Sequence, residues 1–197
     1  MNPAPSGHRA LGDDVAGARF DDEHVTTLAL VARNGDPEDV EAFIRAVYTD
    51  VRRFVAYLAG AHQAEDLAQE TFLRALGSLP RFAGRSSGRT WLLSIARRVV
   101  VDRFRSAAAR PVVAELADWQ SAAESRQSRG LPTVEDAVAL TDLLHRVPLE
   151  RREAFVLTQV VGLPYAEVAE LLGCPIGTVR SRVARVRGEL LESLLAA

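Results

Sequence analysis

Lysine is absent: all 24 basic residues are Arg. Cysteine occurs once, as Cys174, which excludes an intramolecular disulfide and a Cys-based zinc site and fits a cytosolic chain. Aromatic residues are sparse, at 6%. No apolar run approaches the roughly 20 residues that span a membrane. The first residues, MNPAPSGHRALGDD, lack the basic start and apolar stretch of a signal peptide. The four histidines (His8, His24, His62 and His145) are scattered, and there is no P-loop, paired metal motif or nucleophile elbow. These absences speak against an enzyme, a metal site and a cofactor.

What is present is clustered charge. The formal net charge over 197 residues is only −2, a balance that taken alone argues against a nucleic-acid binder. The distribution says otherwise. Residues 1–79 hold seven Arg and thirteen acids, residues 80–110 hold eight Arg and one acid, and residues 111–150 return to a net −4. Residues 176–188 hold four Arg and no acid. A single Arg run is commonly just a solvated helix face; two runs, each inside a motif, have the footprint of phosphate binding.

The periodicity is helical throughout. Residues 1–23 are rich in Pro, Gly, Ala and Asp without periodicity and are expected to be a disordered leader. From Pro37, Val40, Phe43, Ile44, Val47, Val51, Phe54, Val55 and Leu58 recur at steps of three and four, one stripe of a long amphipathic helix ended by Gly60. A second helix runs from about Gln63 to Leu76 and closes at Gly77 and Pro80. After an Arg-, Ser- and Gly-rich loop, a third runs from Thr90, its expected N-cap, to about Ala108. Residues 109–132 lose periodicity and have linker composition; helical patterning resumes near Thr133. The expected architecture is all-α: two small helical domains, 24–108 and 133–197, joined by a flexible tether.

The most informative stretch is 164–190, PYAEVAELLGCPIGTVRSRVARVRGEL. A short helix buries Ala166, Val168, Ala169, Leu171 and Leu172; Gly173 permits a sharp turn, and Pro175 stops the first helix. Helix, Gly turn, helix is the pattern of a helix-turn-helix. At 100° per residue, Val179, Val183, Val186 and Leu190 of the second helix fall within about 60° of one another and face the core. Opposite them lie Gly177, Ser181, Ala184 and Gly188, with Arg180 and Arg187 on one edge and Thr178, Arg182 and Arg185 on the other. A slim outward strip edged by Arg can lie in a major groove. A plain helical hairpin with a solvated Arg face would not account for exposed helical glycines, each costing roughly 1 kcal/mol relative to Ala.

This string resembles the region 4 helix-turn-helix of extracytoplasmic-function sigma factors, which reads the −35 promoter element. The preceding LERREAFVLTQVVGLPY resembles that family's entry into the domain. The resemblance implies base readout by Arg180, Ser181, Ala184 and Arg185, with Ala184 limited to a methyl contact, and phosphate contacts by Thr178, Arg182 and Arg187. A second match, EDLAQETFLRAL at 65–76, carries a polar, acidic face beside one exposed Leu. By itself it reads as a solvated helix. It resembles the region 2 segment that docks on the clamp helices of the largest polymerase subunit, which implies Asp66, Gln69, Glu70 and Leu73 as contacts. The basic stretch RFAGRSSGRTWLLSIARRVVVDRFR, 81–105, offers a loop (Arg81, Arg85, Ser86, Ser87, Arg89) able to wrap an extruded base and a helix whose Arg97, Arg98 and Arg105 approach the duplex. It resembles the family's −10 recognition region, with one departure: Arg98 stands where many relatives have Asn. Trp91 reads as core more than as a stacking platform.

The resemblance implies a cytoplasmic, non-enzymatic factor, monomeric when free. Its partners would be RNA polymerase core, through the β and β′ subunits, promoter DNA and in some systems an anti-sigma factor, with no membrane. The alternative is a stand-alone helix-turn-helix regulator, which would dimerise on repeated half-sites. Because acidic segments flank basic 80–110, the two domains are expected to fold on each other in the free chain and hide both DNA faces.

Overall fold

The computed structural model describes residues 21–109 and 134–195. Every element among the described residues is helical. The expected tether at 109–132, apart from Ala109 at the end of a helix, and most of the leader at 1–23 lie outside them. The last leader residues do not belong to a leader, because α1 (Asp22–Ala32) begins there, with Asp22 and Glu23 in its first turn where the helix dipole favours acids.

Four helices build the first unit. In α2 (Pro37–Ala59), Asp36 caps the start by accepting from the Glu38 and Asp39 amides at 2.9 and 3.4 Å, and Pro37 occupies the first turn. Gly60, at φ 97°, ends it. A short 3-10 turn leads into α3 (Ala64–Ser78), and another (Leu79–Arg81) leaves it. α4 spans Gly88–Ala109. Its cap is Ser87 rather than Thr90: the Ser87 hydroxyl accepts from the Thr90 amide at 3.1 Å, and Thr90 already lies in the first turn. The α2 stripe is the spine of this unit, with α1, α3 and α4 packed around it. Phe43, Val47, Phe54 and Leu58 are fully buried against Leu92 and Leu93 of α4. Each such side chain contributes roughly 1.5–3 kcal/mol by leaving water.

The second unit consists of α5 (Val134–His145), α6 (Leu149–Phe155), α7 (Tyr165–Leu172) and α8 (Ile176–Leu195). α6 continues into a π-helical turn, Val156–Val160, where the Val161 amide reaches back five residues to the Val156 carbonyl at 2.9 Å. The Thr158 hydroxyl donates to the Ala154 carbonyl at 2.8 Å within this turn. Gly173 closes α7 in the left-handed conformation (φ 64°, ψ 38°), as a helix-turn-helix requires. Val168 of α7 and Val179, Val183 and Val186 of α8 are buried, and α8 packs on both α6 and α7.

The two units pack together. α2 meets α5, α6 and the π turn, and α4 meets α7. Their buried side chains form one continuous apolar core. One guanidinium joins helix ends across the seam: Arg152 of α6 donates to the Leu58 carbonyl at the end of α2 (2.7 Å) and to the His145 and Val147 carbonyls at and just past the end of α5 (3.0 and 3.1 Å). It therefore satisfies the C-terminal carbonyls of helices from both units, where a cation is favoured by the dipole.

Candidate nucleic-acid interface and docking groove

The outward strip of α8 stands as its periodicity requires. Gly177, Arg180, Ser181, Ala184, Arg185, Arg187 and Gly188 are exposed, while Val179, Val183 and Val186 are buried. A Cβ added at Gly177 or Gly188 would meet nothing within 4 Å, so neither glycine is needed for internal packing. The Ser181 hydroxyl donates back to the Thr178 carbonyl at 3.0 Å, which leaves its lone pairs to accept from a partner. Thr178 is half-buried. Two edge residues are engaged within the unit: Arg187 donates to Gln159 at 2.6 Å, and Arg182 is half-buried, 3.9 Å from both Glu150 and the Cys174 sulfur.

On the first unit, α3 exposes Asp66, Gln69 and Leu73, with Glu70 half-buried. Leu73 is 66% exposed, unusual for a leucine in a packed helix. Beside it lies a shallow apolar groove between α2 and α3, lined by Ile44, Tyr48, Gln69, Phe72, Leu73 and Leu76. Tyr48 stacks on Phe72 with ring centroids 5.9 Å apart, and its hydroxyl donates to Glu65 at 2.9 Å, which pushes the phenol pKa up. The α2 wall, Ile44 and Tyr48, is absent from the sequence-based site. The only signal for it was that both fall at the edge of the α2 stripe, four residues apart. Arg74 ties α3 to α4 by donating to both Glu70 and Asp102 at 2.7 Å; these hydrogen bonds raise its pKa.

The basic loop divides into free and engaged residues. Arg81, Arg85 and Ser86 are exposed around a hollow of about 200 Å³ that Phe82, Ala83 and Trp91 also line. Trp91 is half-buried: it packs on Phe82 (5.0 Å between centroids) and Phe43 (6.4 Å) yet lines the hollow, so it serves both core and cavity. Arg98 and Arg105 are exposed on α4.

Arg89 is a correction. It is 6% exposed, and its guanidinium is paired with Asp50 at 2.8 Å and Asp22 at 2.7 Å. A buried guanidinium needs such carboxylates, and here it holds α1 and α2 against the start of α4 rather than facing DNA. Burial still leaves the Asp22 pKa raised, with Arg89 opposing.

Ser87 and Arg97 face the second unit. Glu167 of α7 accepts from the Thr90 hydroxyl, and the Ser87 hydroxyl, which donates to Thr90 at 2.9 Å, lies 3.4 Å from the same carboxylate. Glu153 of α6, 1% exposed, lies 3.0 and 3.2 Å from two Arg97 nitrogens. Burial raises the Glu153 pKa, and Arg97 pulls against that rise. The two units lie against each other, but both DNA faces are not hidden as the charge pattern led one to expect: α8 remains open. The acids involved also come from α6 and α7, not from the acidic segments 1–79 and 111–150.

Sequence comparison decides the family. Residues 40–110 match the model for Sigma-70 region 2, and residues 137–190 match that for Sigma-70, region 4. The chain belongs to the extracytoplasmic-function sigma factors. It is 51% identical over 172 residues to the ECF RNA polymerase sigma factor SigC of Mycobacterium tuberculosis, covering 87% of this chain and 91% of the relative. It is 30% identical to SigW of Bacillus subtilis, covering 82% and 92%. Among solved structures it is similar to the sigma factor RpoE of Bartonella quintana in complex with the anti-sigma factor NepR, with TM-score 0.66, 28% identity and coverage of 80% of this chain and 97% of that one. The sigma factor binds RNA polymerase and directs promoter-specific initiation; the family has no enzymatic activity of its own, and the stand-alone regulator reading gives way. No helix among the described residues is long and apolar enough to cross a membrane.

Proposed function

We propose that the two exposed faces divide the labour of promoter recognition. The α3 face, Asp66, Gln69, Glu70 and Leu73, together with the Tyr48–Phe72 groove, docks on the clamp helices of the polymerase β′ subunit, acids against a basic coiled coil and Leu73 into an apolar notch. The β subunit holds the second unit. α8 enters the major groove of the −35 element, with Arg180, Ser181, Ala184 and Arg185 at base edges and Thr178, Arg182 and Arg187 at phosphates. At the −10 element, Arg81, Arg85, Ser86 and Ser87 surround an extruded base in the hollow against Trp91, and Arg97, Arg98 and Arg105 hold the backbone. The observation that carries this reading is the α8 strip: small residues outward, Arg exposed, valines buried.

The protein acts in the cytoplasm, as a monomer when free. The solved RpoE relative is bound to an anti-sigma factor, and an anti-sigma protein is a fitting partner here too. The test is transcription in vitro from a genomic fragment library with polymerase core, with and without the sigma factor. Discrete new starts that vanish with Arg180→Ala or Arg185→Ala support the assignment. New starts that survive both substitutions would remove α8 from promoter readout.

A further inference from the structure

The arginines along α8 are not held alike. Arg180 and Arg185 are exposed, and Arg182 is half-buried with the Glu150 carboxylate 3.9 Å away. Arg187 is exposed too, but a neutral group holds it: its guanidinium donates to Gln159 Oε1 at 2.6 Å. A guanidinium has no acceptor, so the oxygen of the amide must face it. The other end of the amide is braced as well. Gln159 Nε2 donates to the Thr158 hydroxyl at 3.0 Å and to the hydroxyl of Tyr165, the first residue of α7, at 3.1 Å. The Thr158 hydroxyl donates onward to the Ala154 carbonyl, which leaves its lone pairs to accept from Gln159. One amide thus links the π turn, the start of α7 and α8. Along α6 and its π turn every residue from Arg152 to Thr158 is buried, and Gln159 is the first to reach solvent. π turns recur at functional sites.

The neutrality of the holding group matters. A carboxylate in its place would fix the guanidinium but offset its charge and repel a phosphate. The amide occupies one of five N–H donors and leaves the positive charge whole. Glu189, the acid nearest to Arg187 along α8, is paired with Arg151 at 2.7 Å. We propose that Gln159 is a positioning residue for promoter binding: it holds Arg187 ordered and fully charged for a phosphate beside the −35 element. This rests on the reading of α8 above. A long side chain that is ordered before contact gives up less rotamer freedom when the contact forms.

The test uses holoenzyme, core plus the full chain, on a promoter that it transcribes. Abortive initiation separates initial binding from the later opening step, at several salt concentrations. Gln159→Ala should weaken initial binding about two- to tenfold, the cost of ordering Arg187 on contact. The opening rate and the salt slope should not change, because the charge remains. Arg187→Ala should weaken initial binding at least as much and reduce the salt slope by about 1. In the Arg187→Ala background, Gln159→Ala should cost nothing further. Gln159→Glu should keep the melting temperature of wild type and still weaken initial binding, which a purely structural role of this side chain would not produce. Additive losses in the double variant would overturn the proposal, as would undiminished binding by Gln159→Glu or by Arg187→Ala. Arg180→Ala tells the failures apart. If it too leaves promoter use unchanged, the placement of α8 on the −35 element fails. If it abolishes promoter use while the Gln159 and Arg187 variants are silent, only the positioning role falls.

Discussion

At the residue scale, Arg89 and Arg85 lie in one loop motif and have opposite fates. The spacing GRSSGRT gives both the same local sequence context, and no periodicity distinguishes them. The difference comes from Asp50 and Asp22, distant in sequence, which converge on Arg89 as α1 and α2 pack. Arg89→Ala should therefore destabilise the protein by about 3–5 kcal/mol, the cost of leaving the buried Asp50 carboxylate unpaired, while Arg85→Ala changes stability by less than about 0.5 kcal/mol. Urea unfolding of the two variants measures this directly. Glu153 gives a prediction about pH. Its carboxyl faces Arg97, Arg182 and Glu150, and burial raises its pKa above 4.5. A carboxyl with a raised folded pKa adds stability below its unfolded value that is lost as pH rises through the folded one. Relative to Glu153→Gln, which keeps shape and one acceptor but not charge, the wild type should lose stability as pH rises above 4.5. It should level off once Glu153 is ionised in the folded chain. A difference that grows in the opposite direction would mean that the Arg97 pair outweighs burial.

At the element scale, the helices were legible because their apolar stripes are long and their stops are Gly and Pro. α2, α7 and α8 follow their sequence patterns to within a residue or two. Less visible were features set by competition among near-equal local options. Ser87 and Thr90 can each cap α4, and the helix starts one turn earlier than expected because the Ser87 hydroxyl is in reach of the Thr90 amide. The π turn after α6 is a change of hydrogen-bond register, Val161 to Val156, which no apolar periodicity reports. The α2–α3 groove joins edges of two helices, and single-helix wheels do not show such seams. α8 separates stability from function. Gly188 is exposed and has room for a methyl group. Gly188→Ala should stabilise α8 by about 1 kcal/mol, raising the melting temperature, yet weaken −35 duplex binding if close backbone approach is its purpose. Higher stability with unchanged DNA affinity would mean that the glycine has no role in docking.

At the scale of the whole molecule, the segment charges pointed to acids in 1–79 and 111–150, whereas the acids at the seam are Glu153 and Glu167. Net charge per segment is a long-range quantity, whereas the seam is decided by shape and by which polar groups can be fully paired. Arg152 illustrates the difference. Its guanidinium ends among three carbonyls belonging to the ends of two helices in different units. Nothing in LERREAF distinguishes it from neighbouring Arg151, which turns to Glu189 on α8 instead. Because one side chain serves both units, the coupling between them should be unusually sensitive to it. In the wild type, the shared core predicts that both units unfold together. Arg152→Met keeps much of the apolar stem but strands buried carbonyls, each costing about 1–3 kcal/mol. The variant should therefore melt in two steps, the second unit first, with fluorescence from Trp91 in a Trp119→Phe background reporting the first unit and circular dichroism reporting both. A single coincident transition in Arg152→Met would place the coupling in the apolar seam of α2 with α5 and the π turn, and leave Arg152 as a cap internal to its own unit.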